Sequence, residues 1–154
     1  MAVVIAVPGR PEIELTELVL DFTGTLSRDG VLLAGVAERI TALAARLRIS
    51  VMTADTRGTA RRELAGLPLT VELVRDGDAK AELVRKFGPE RTVAIGNGRN
   101  DVAMVRVAAL GIAVLGAEGT AGELLRVADV VTINVNDALD LLADPVRLVA
   151  TLRD

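Results

Sequence analysis

Residues 18–26 read Leu-Val-Leu-Asp-Phe-Thr-Gly-Thr-Leu, an apolar run followed by an acid and a glycine-containing loop. The three apolar residues predict a buried strand, and the carboxylate of Asp21 follows directly at its end. Gly24 lets the chain turn away, because glycine adopts backbone conformations that other residues avoid. A buried strand that ends in an acid and a glycine loop is typical of open α/β sheets, where ligands bind beyond the carboxyl ends of the strands.

Outward from this stretch, short apolar runs alternate with segments of helical periodicity. Further strands are predicted at 49–52, 69–74, 92–95, 112–115 and 130–133. Helices are predicted at 36–48, 57–65, 78–87 (capped by Asp78), 101–109 and 121–127, with a last helix after Asn136. The strands are continuous apolar runs, as expected when both faces of a sheet are covered. We therefore predict an α/β fold with a doubly wound, mostly parallel sheet.

The chain is predicted to form one domain over residues 1–154. Residues 1–16 contain two short strand patterns separated by Pro8-Gly9, which predicts an N-terminal hairpin added to the main sheet. Residues 25–33 predict a second, shorter hairpin that follows Asp21 as a flap. No segment is long enough to serve as a cap domain over the predicted site.

The composition excludes several kinds of chemistry. The 154 residues include no cysteine and no histidine, which leaves Asp, Glu, Lys, hydroxyls, amides and a hard metal ion for catalysis. A formal net charge of −3 argues against a nucleic-acid binder. No apolar stretch approaches the length of a membrane span, and no secretory signal is visible, so we expect a cytoplasmic protein that does not bind membranes.

Two motifs could carry chemistry. A carboxylate such as Asp21 can attack phosphorus, while the loop amides around Gly24 and the hydroxyl of Thr25 bind the phosphoryl oxygens. Residues 96–101 read Gly-Asn-Gly-Arg-Asn-Asp, and their side-chain oxygens suit a hard cation such as Mg²⁺. Each motif also has an ordinary structural interpretation, as a turn or as a helix cap.

Two further residues gain meaning only from their positions. Thr53 ends a predicted strand, so its hydroxyl could bind a phosphoryl oxygen at the same edge of the sheet as Asp21. Lys80 lies early in a predicted helix and could neutralise the transferring group. Taken alone, Thr53 would be an unremarkable strand-end residue and Lys80 a solvated surface lysine.

Together these segments resemble the haloacid dehalogenase superfamily of phosphohydrolases. The motifs are most similar to those of the phosphorylation domain of P-type ATPases. Residues 21–25 match Asp-Lys-Thr-Gly-Thr except at Phe22, and residues 96–101 match Gly-Asp-Gly-x-Asn-Asp except at Asn97. The family has two further motifs between these. Thr53 resembles the threonine of the second motif and Asp55 the acid that follows it in the ATPases, and Lys80 resembles the lysine of the third motif.

The resemblance implies a role for each residue. Asp21 would be the nucleophile, with Thr23 at the position of the second catalytic acid. Mg²⁺ would be held by Asp21, the Thr23 carbonyl, Asn97 and Asp101. Thr53, Lys80 and the Gly24-Thr25 segment would bind the phosphoryl group, and Asn100 and Asp55 would support the site.

Departures from the family pattern predict how the site behaves. Thr23 cannot shuttle protons near neutral pH, so we expect slow hydrolysis and a long-lived aspartyl phosphate. Asn97 is a neutral amide where the ATPases carry an acid, so Mg²⁺ affinity should be modest. The uncapped site should admit a small or macromolecular phosphorylated substrate, or be covered by another subunit or a protein partner.

The sequence thus favours a Mg²⁺-dependent phosphohydrolase of low intrinsic activity. One alternative is a regulatory module that binds a phosphoryl group and works through a partner protein. A response-regulator receiver is a second alternative. Receivers carry an acidic pair on the first strand and the phosphorylated Asp on the third. This sequence has a single acid, Asp21, at the first motif and Thr53 at the next, so the receiver is disfavoured.

Overall fold

The computed structural model describes residues 1–154, and its centre is a six-stranded sheet in which every pair of neighbouring strands is parallel. The sheet strands are β3 (Glu17–Leu20), β6 (Arg48–Thr53), β7 (Thr70–Leu73), β8 (Thr92–Gly96), β9 (Leu110–Val114) and β10 (Val130–Thr132). Their spatial order is β10-β9-β8-β3-β6-β7. The chain therefore winds outward from β3 in both directions, and the predicted doubly wound α/β fold is confirmed.

Two antiparallel ribbons lie outside this sheet. At the N-terminus, β1 (Val3–Ile5) pairs with β2 (Ile13–Leu15), which confirms the predicted extra hairpin. Directly after Asp21, β4 (Ser27–Arg28) pairs with β5 (Val31–Leu32). Asp29 and Gly30 form the turn of this second ribbon, and both have positive φ angles, of 52° and 79°.

Seven α-helices cover the sheet: α1 (Val36–Leu43), α2 (Ala60–Glu63), α3 (Gly77–Phe87), α4 (Val102–Val107), α5 (Gly122–Val127), α6 (Val135–Ala143) and α7 (Val146–Leu152). Short 3₁₀ turns occupy Pro89–Arg91 and Arg99–Asp101. None of the helices has both the length and the apolar character needed to cross a bilayer.

Two predicted caps are wrong by two residues. Asp76, not Asp78, caps α3, because its side chain accepts a hydrogen bond from the amide of Ala79 at 2.9 Å. Asn134, not Asn136, caps α6 in the same way. In both cases the correct residue lies two positions earlier in a polar cluster, and sequence alone does not say which member of such a cluster begins the helix.

The two faces of the sheet bury separate cores. The larger core has 27 buried residues and lies under α1, α2, α6, α7 and the N-terminal hairpin. The smaller core has 9 buried residues and lies under α3, α4 and α5. Successive residues of β3 alternate between them, with Leu18 and Leu20 in the first and Val19 in the second. This double burial fixes the register of β3, so the position of Asp21 at its end is fixed as well.

Candidate active site

Three neighbouring strands bring the predicted site residues to one edge of the sheet. β3 lies between β6 and β8 and is in register with both. Asp21 follows β3, Thr53 ends β6, and Asn97 follows β8. Because the strands are parallel, their carboxyl ends meet at the same edge, and residues more than 30 positions apart in sequence form one site.

The core of the site is a buried cluster of three charges. The ammonium nitrogen of Lys80 donates to Oδ1 of Asp21 and to Oδ1 of Asp101, both at 2.8 Å. Asp101 is 0% exposed, Lys80 1% and Asp21 4%. Two carboxylates share one cation, so with every group ionised the cluster carries a net charge of −1 away from bulk water. Such a charge is costly to bury unless a further cation or a proton compensates it.

The pKa values reflect this imbalance. The pKa of Asp21 is raised from 3.8 to about 7, first by burial and then by the nearby charge of Asp101, against the opposing effect of Lys80. Burial by itself would lower the pKa of Lys80, but the two carboxylates outweigh burial and hold that pKa above its ordinary value. Lys80 is therefore a fixed positive charge near neutral pH, whereas Asp21 is poised between its acid and its carboxylate.

Helix α3 places Lys80 in this cluster. Its first turn packs closely on the 3₁₀ turn Arg99–Asp101, since a Cβ added to Gly77 would lie 2.7 Å from the backbone oxygen of Asn100. The small residue at 77 thus lets the two segments approach. Lys80 follows one turn later and extends under the sheet edge between Asp21 and Asp101.

Asp101 holds the loop after β8 in shape. Its Oδ2 accepts hydrogen bonds from the amides of Asn97 and Gly98, at 3.1 and 3.0 Å. Gly96 makes room for it, because a Cβ at Gly96 would lie 2.4 Å from the Asp101 carboxylate. Both oxygens of Asp101 are therefore engaged by the protein.

The loop after Asp21 is wound around a single carbonyl group. The oxygen of Phe22 accepts from the amides of Thr25, Leu26 and Ser27 at 3.0 to 3.2 Å, and also from the Ser27 hydroxyl. The side chain of Phe22, which stands where the P-type ATPases have lysine, is 1% exposed and packs in the larger core. This departure from the family motif therefore serves packing and adds no charge to the site.

Gly24 and Thr25 both lie against the side chain of Asn97. Gly24 has φ of +78°, and a Cβ there would lie 2.4 Å from Nδ2 of Asn97. The Thr25 hydroxyl lies 3.2 Å from Oδ2 of Asp21 and 3.1 Å from Oδ1 of Asn97. Thr25 therefore contacts Asp21 through its hydroxyl, whereas its amide donates to the carbonyl of Phe22.

Above the charge cluster lies a small polar cavity of about 170 Å³. Hydroxyl, amide and backbone groups surround the carboxylate of Asp21, and Ala54 is the one apolar residue of the lining. The lining residues are Asp21, Thr23, Thr53, Ala54, Thr56, Asn97, Gly98 and Asn100. Of the predicted site residues, Lys80 and Asp101 lie beneath this cavity, and Gly24 and Thr25 lie beside it.

The loop after β6 directs a hydroxyl group to the cavity. Oγ1 of Thr53 accepts a hydrogen bond from the amide of Asp55 at 2.9 Å, so the hydroxyl proton remains available to a ligand. Asp55 itself has φ of 54°, and its Oδ1 accepts from the amides of Thr59 and Ala60 at the start of α2. Asp55 therefore shapes the loop and caps a helix.

The structure adds three lining residues that the sequence did not single out as ligand contacts, Ala54, Thr56 and Gly98. Thr56 stands three residues after Thr53 and belongs to neither of the two sequence motifs. Gly98 belongs to the recognised motif, but its place in the lining depends on the loop conformation that Asp101 imposes. The repeated threonine after β6 is the one sequence signal that could have indicated Thr56.

The donor set suits a hard cation. The carboxylate of Asp21 and the amide of Asn97 both line the cavity, as does Thr23, whose carbonyl was the predicted third ligand. Oxygen donors of this mixed kind are those that Mg²⁺ and Ca²⁺ prefer. Nowhere in the chain do three or more acidic, histidine or cysteine side chains converge as a metal cluster, so a cation here would depend on neutral oxygen donors as well.

Comparison with known proteins identifies the family of this chain. A family model described as haloacid dehalogenase-like hydrolase matches residues 69–139. Over 73 residues the chain is 44% identical to an uncharacterized protein of Methanocaldococcus jannaschii, a match that covers 47% of this chain and 78% of that relative. The chain belongs to the haloacid dehalogenase-like hydrolases.

Solved structures of haloacid dehalogenase-like proteins share the fold. The 3-deoxy-D-manno-octulosonate 8-phosphate phosphatase of Moraxella catarrhalis, determined with magnesium, phosphate and the sugar acid, superposes with a TM-score of 0.69 at 19% identity, covering 89% of this chain and 92% of the phosphatase. A cobalt-bound form of the corresponding phosphatase of Haemophilus influenzae gives 0.68 at 19% identity and 88% of both chains. An apo phosphoserine phosphatase gives 0.66 at 16% identity, covering 84% of this chain and 98% of the other.

Proposed function

We propose that the chain is a Mg²⁺-dependent phosphohydrolase of low intrinsic activity that passes the phosphoryl group through Asp21. The observation that carries this proposal is the buried Asp21–Lys80–Asp101 cluster beneath a polar cavity. A carboxylate held in place by a fixed ammonium group, with its other oxygen near a hydroxyl, is suited to attack an electrophile in the cavity.

Each neighbouring group has a task in this proposal. Lys80 stabilises the carboxylate before transfer and the phosphoryl charge during it, because it is positive at every working pH. The free hydroxyl proton of Thr53 binds a phosphoryl oxygen. Asp21, the Thr23 carbonyl and Asn97 would hold Mg²⁺, with Asp101 acting through the loop amides and Lys80. A bound Mg²⁺ supplies positive charge that stabilises the phosphoryl oxygens as bonds to phosphorus form and break.

The known functions of proteins with this fold support the reaction class. Phosphatases of a sugar-acid phosphate and of phosphoserine share this fold, and magnesium or cobalt is present in two of the structures. At 16–19% identity the likeness extends to the fold, so substrate identity does not carry over. The finer likeness to P-type ATPases depends chiefly on residues 21–25 and 96–101, with Thr53, Asp55 and Lys80 in addition.

Phosphate release tests the proposal directly. Purified protein with 4-nitrophenyl phosphate or acetyl phosphate should release phosphate slowly when Mg²⁺ is present and not with excess EDTA. Asp21→Asn should abolish release, whereas Asp78→Asn, at an exposed position on α3, should retain it. Release that persists in Asp21→Asn would refute the proposal.

A second candidate function is a regulatory module that binds a phosphoryl group without turnover. It is favoured by the lining of the cavity, in which Asp21 is the one ionisable side chain. Trapping separates the two functions. The enzyme should acquire a hydroxylamine-sensitive label on Asp21 from radiolabelled acetyl phosphate and then lose it, whereas a binding module should retain beryllium fluoride or phosphate without forming a covalent bond.

A further inference from the structure

The cavity lacks any group that could donate a proton to a departing oxygen. Apart from Asp21, its lining consists of neutral hydroxyl, amide and backbone groups. Thr23 stands nearest in sequence to the nucleophile, and a hydroxyl group does not act as a proton shuttle near neutral pH. Histidine, cysteine and tyrosine are absent from the whole chain.

The ionisable groups closest to the cavity are engaged elsewhere. Lys80 donates to two carboxylates, each at 2.8 Å, so its ammonium group is engaged within the cluster. Asp101 is fully buried and accepts from Lys80 and from two amides. Asp55 accepts from two amides at the start of α2. None of the three contributes a side chain to the lining.

The cavity also offers little to a large apolar leaving group. Its volume of about 170 Å³ is below the ~300–1,000 Å³ of sites that enclose drug-sized ligands. Ala54 is its one apolar lining residue, so no surface for a nucleobase or an aromatic ring is present. A phosphoryl group with a small polar leaving group fits this space best.

We infer that this site takes acyl phosphates, whose leaving group departs as a stable carboxylate anion, in preference to alkyl phosphate esters. The inference rests on the proposed function and specifies its substrate class. An alkyl ester must release an alkoxide, which requires a proton as the bond breaks, and no lining group supplies one. A carboxylate requires none.

The bond changes balance without an additional reactant. A carboxylate oxygen of Asp21 forms a bond to phosphorus, the bond from phosphorus to the acyl oxygen breaks, and the electron pair leaves on the carboxylate product. The aspartyl phosphate is itself an acyl phosphate, so this first transfer exchanges one mixed anhydride for another of similar energy. Water then attacks phosphorus, Asp21 departs as a carboxylate, and the proton of the water passes to solvent.

The rate dependence on leaving group tests the inference. We would measure kcat/KM for acetyl phosphate, 4-nitrophenyl phosphate and ethyl phosphate with Mg²⁺, subtracting the rate of Asp21→Asn. Since general acid catalysis is worth ~10²–10⁴-fold, acetyl phosphate should exceed ethyl phosphate by at least about 10²-fold. Values within about tenfold of each other would overturn the inference while leaving the proposed function intact.

A pair of variants isolates the missing proton donor. Thr23→Asp introduces a carboxyl group at the lining position, and Thr23→Asn is its matched control without a titratable proton. Thr23→Asp should raise the ratio of ethyl phosphate to acetyl phosphate turnover by at least about tenfold, and Thr23→Asn should not. Equal effects of the two variants would contradict the inference. If no probe is consumed in an Asp21-dependent way, the proposed function itself fails, which is a separate and recognisable outcome.

Discussion

Replacing Asp21 by asparagine should stabilise the metal-free protein at neutral and higher pH. In the native protein the pKa of Asp21 is raised from 3.8 to about 7, chiefly by burial and then by Asp101. The native state therefore binds a proton at Asp21 more tightly than the unfolded chain does. Between about pH 4 and pH 7 the unfolded chain releases that proton while the native state retains it, so the free energy of unfolding falls as the pH rises.

The shift sets the size of the effect. At 1.36 kcal/mol per pKa unit, a rise from 3.8 to about 7 corresponds to at most about 4 kcal/mol. Asp21→Asn removes this cost and leaves Lys80 paired with Asp101 at 2.8 Å as a neutral cluster. We expect the variant to match the native protein near pH 4 and to exceed its unfolding free energy by about 1–4 kcal/mol at pH 8.

Urea denaturation with excess EDTA at pH 4.5, 6 and 8 is the appropriate assay. Far-UV circular dichroism must report unfolding, because the chain has no Trp or Tyr for fluorescence. Asp78→Asn, at an exposed acid, is the control for removing one negative charge. Adding Mg²⁺ at pH 8 should raise the stability of the native protein more than that of Asp21→Asn. An Asp21→Asn variant that is less stable than the native protein at pH 8 would refute the electrostatic reasoning.

Three further substitutions probe the cluster, the loop after Asp21 and the cavity. Lys80→Met leaves the carboxylates of Asp21 and Asp101 buried without a counter-charge, so urea denaturation at pH 8 should show a loss of about 3–5 kcal/mol, against little change for the exposed Lys86→Met. Gly24→Ala combines a positive φ with a Cβ 2.4 Å from Asn97. It should cost more than Gly66→Ala, where φ is also positive but no atom lies within 4 Å and only the strain of about 1–3 kcal/mol applies. Asn97→Asp adds a carboxylate to the cavity and should tighten Mg²⁺ binding by roughly tenfold in calorimetric titration; an unchanged or weaker affinity would remove Asn97 from the ligand set.

Much of the fold follows from local patterns that the sequence displays openly. Continuous apolar strands such as 92–95 predicted a sheet covered on both faces, and the structure buries β8 completely. The ends of helices were less predictable. The periodic pattern from 36 to 48 suggested one long helix, but α1 ends at Leu43 and β6 begins at Arg48. The apolar spacing does not reveal the end of α1, because Leu47 lies beyond the helix and is buried all the same, as a residue of a longer helix would be.

The amino-acid composition limits which chemical groups are available to this protein. The sequence provides no histidine, no cysteine and a threonine at position 23, so proton transfer in any reaction here is restricted before the chain folds. The sequence also predicted that Asp21 follows a buried strand, because the apolar run of residues 18–20 is typical of a strand covered on both faces.

The tertiary structure alone decided how those groups are divided between a buried cluster and a cavity. Taken alone, the sequence favoured a solvated lysine at position 80. Instead, α3 packs so closely against residues 99–101 that Lys80 joins two carboxylates out of contact with water. The same packing engages Asp101 beneath the cavity and leaves Asp21 as the one ionisable group lining it. No local pattern encodes that outcome, since it depends on the distances between segments that lie 21 and 59 residues apart in the chain.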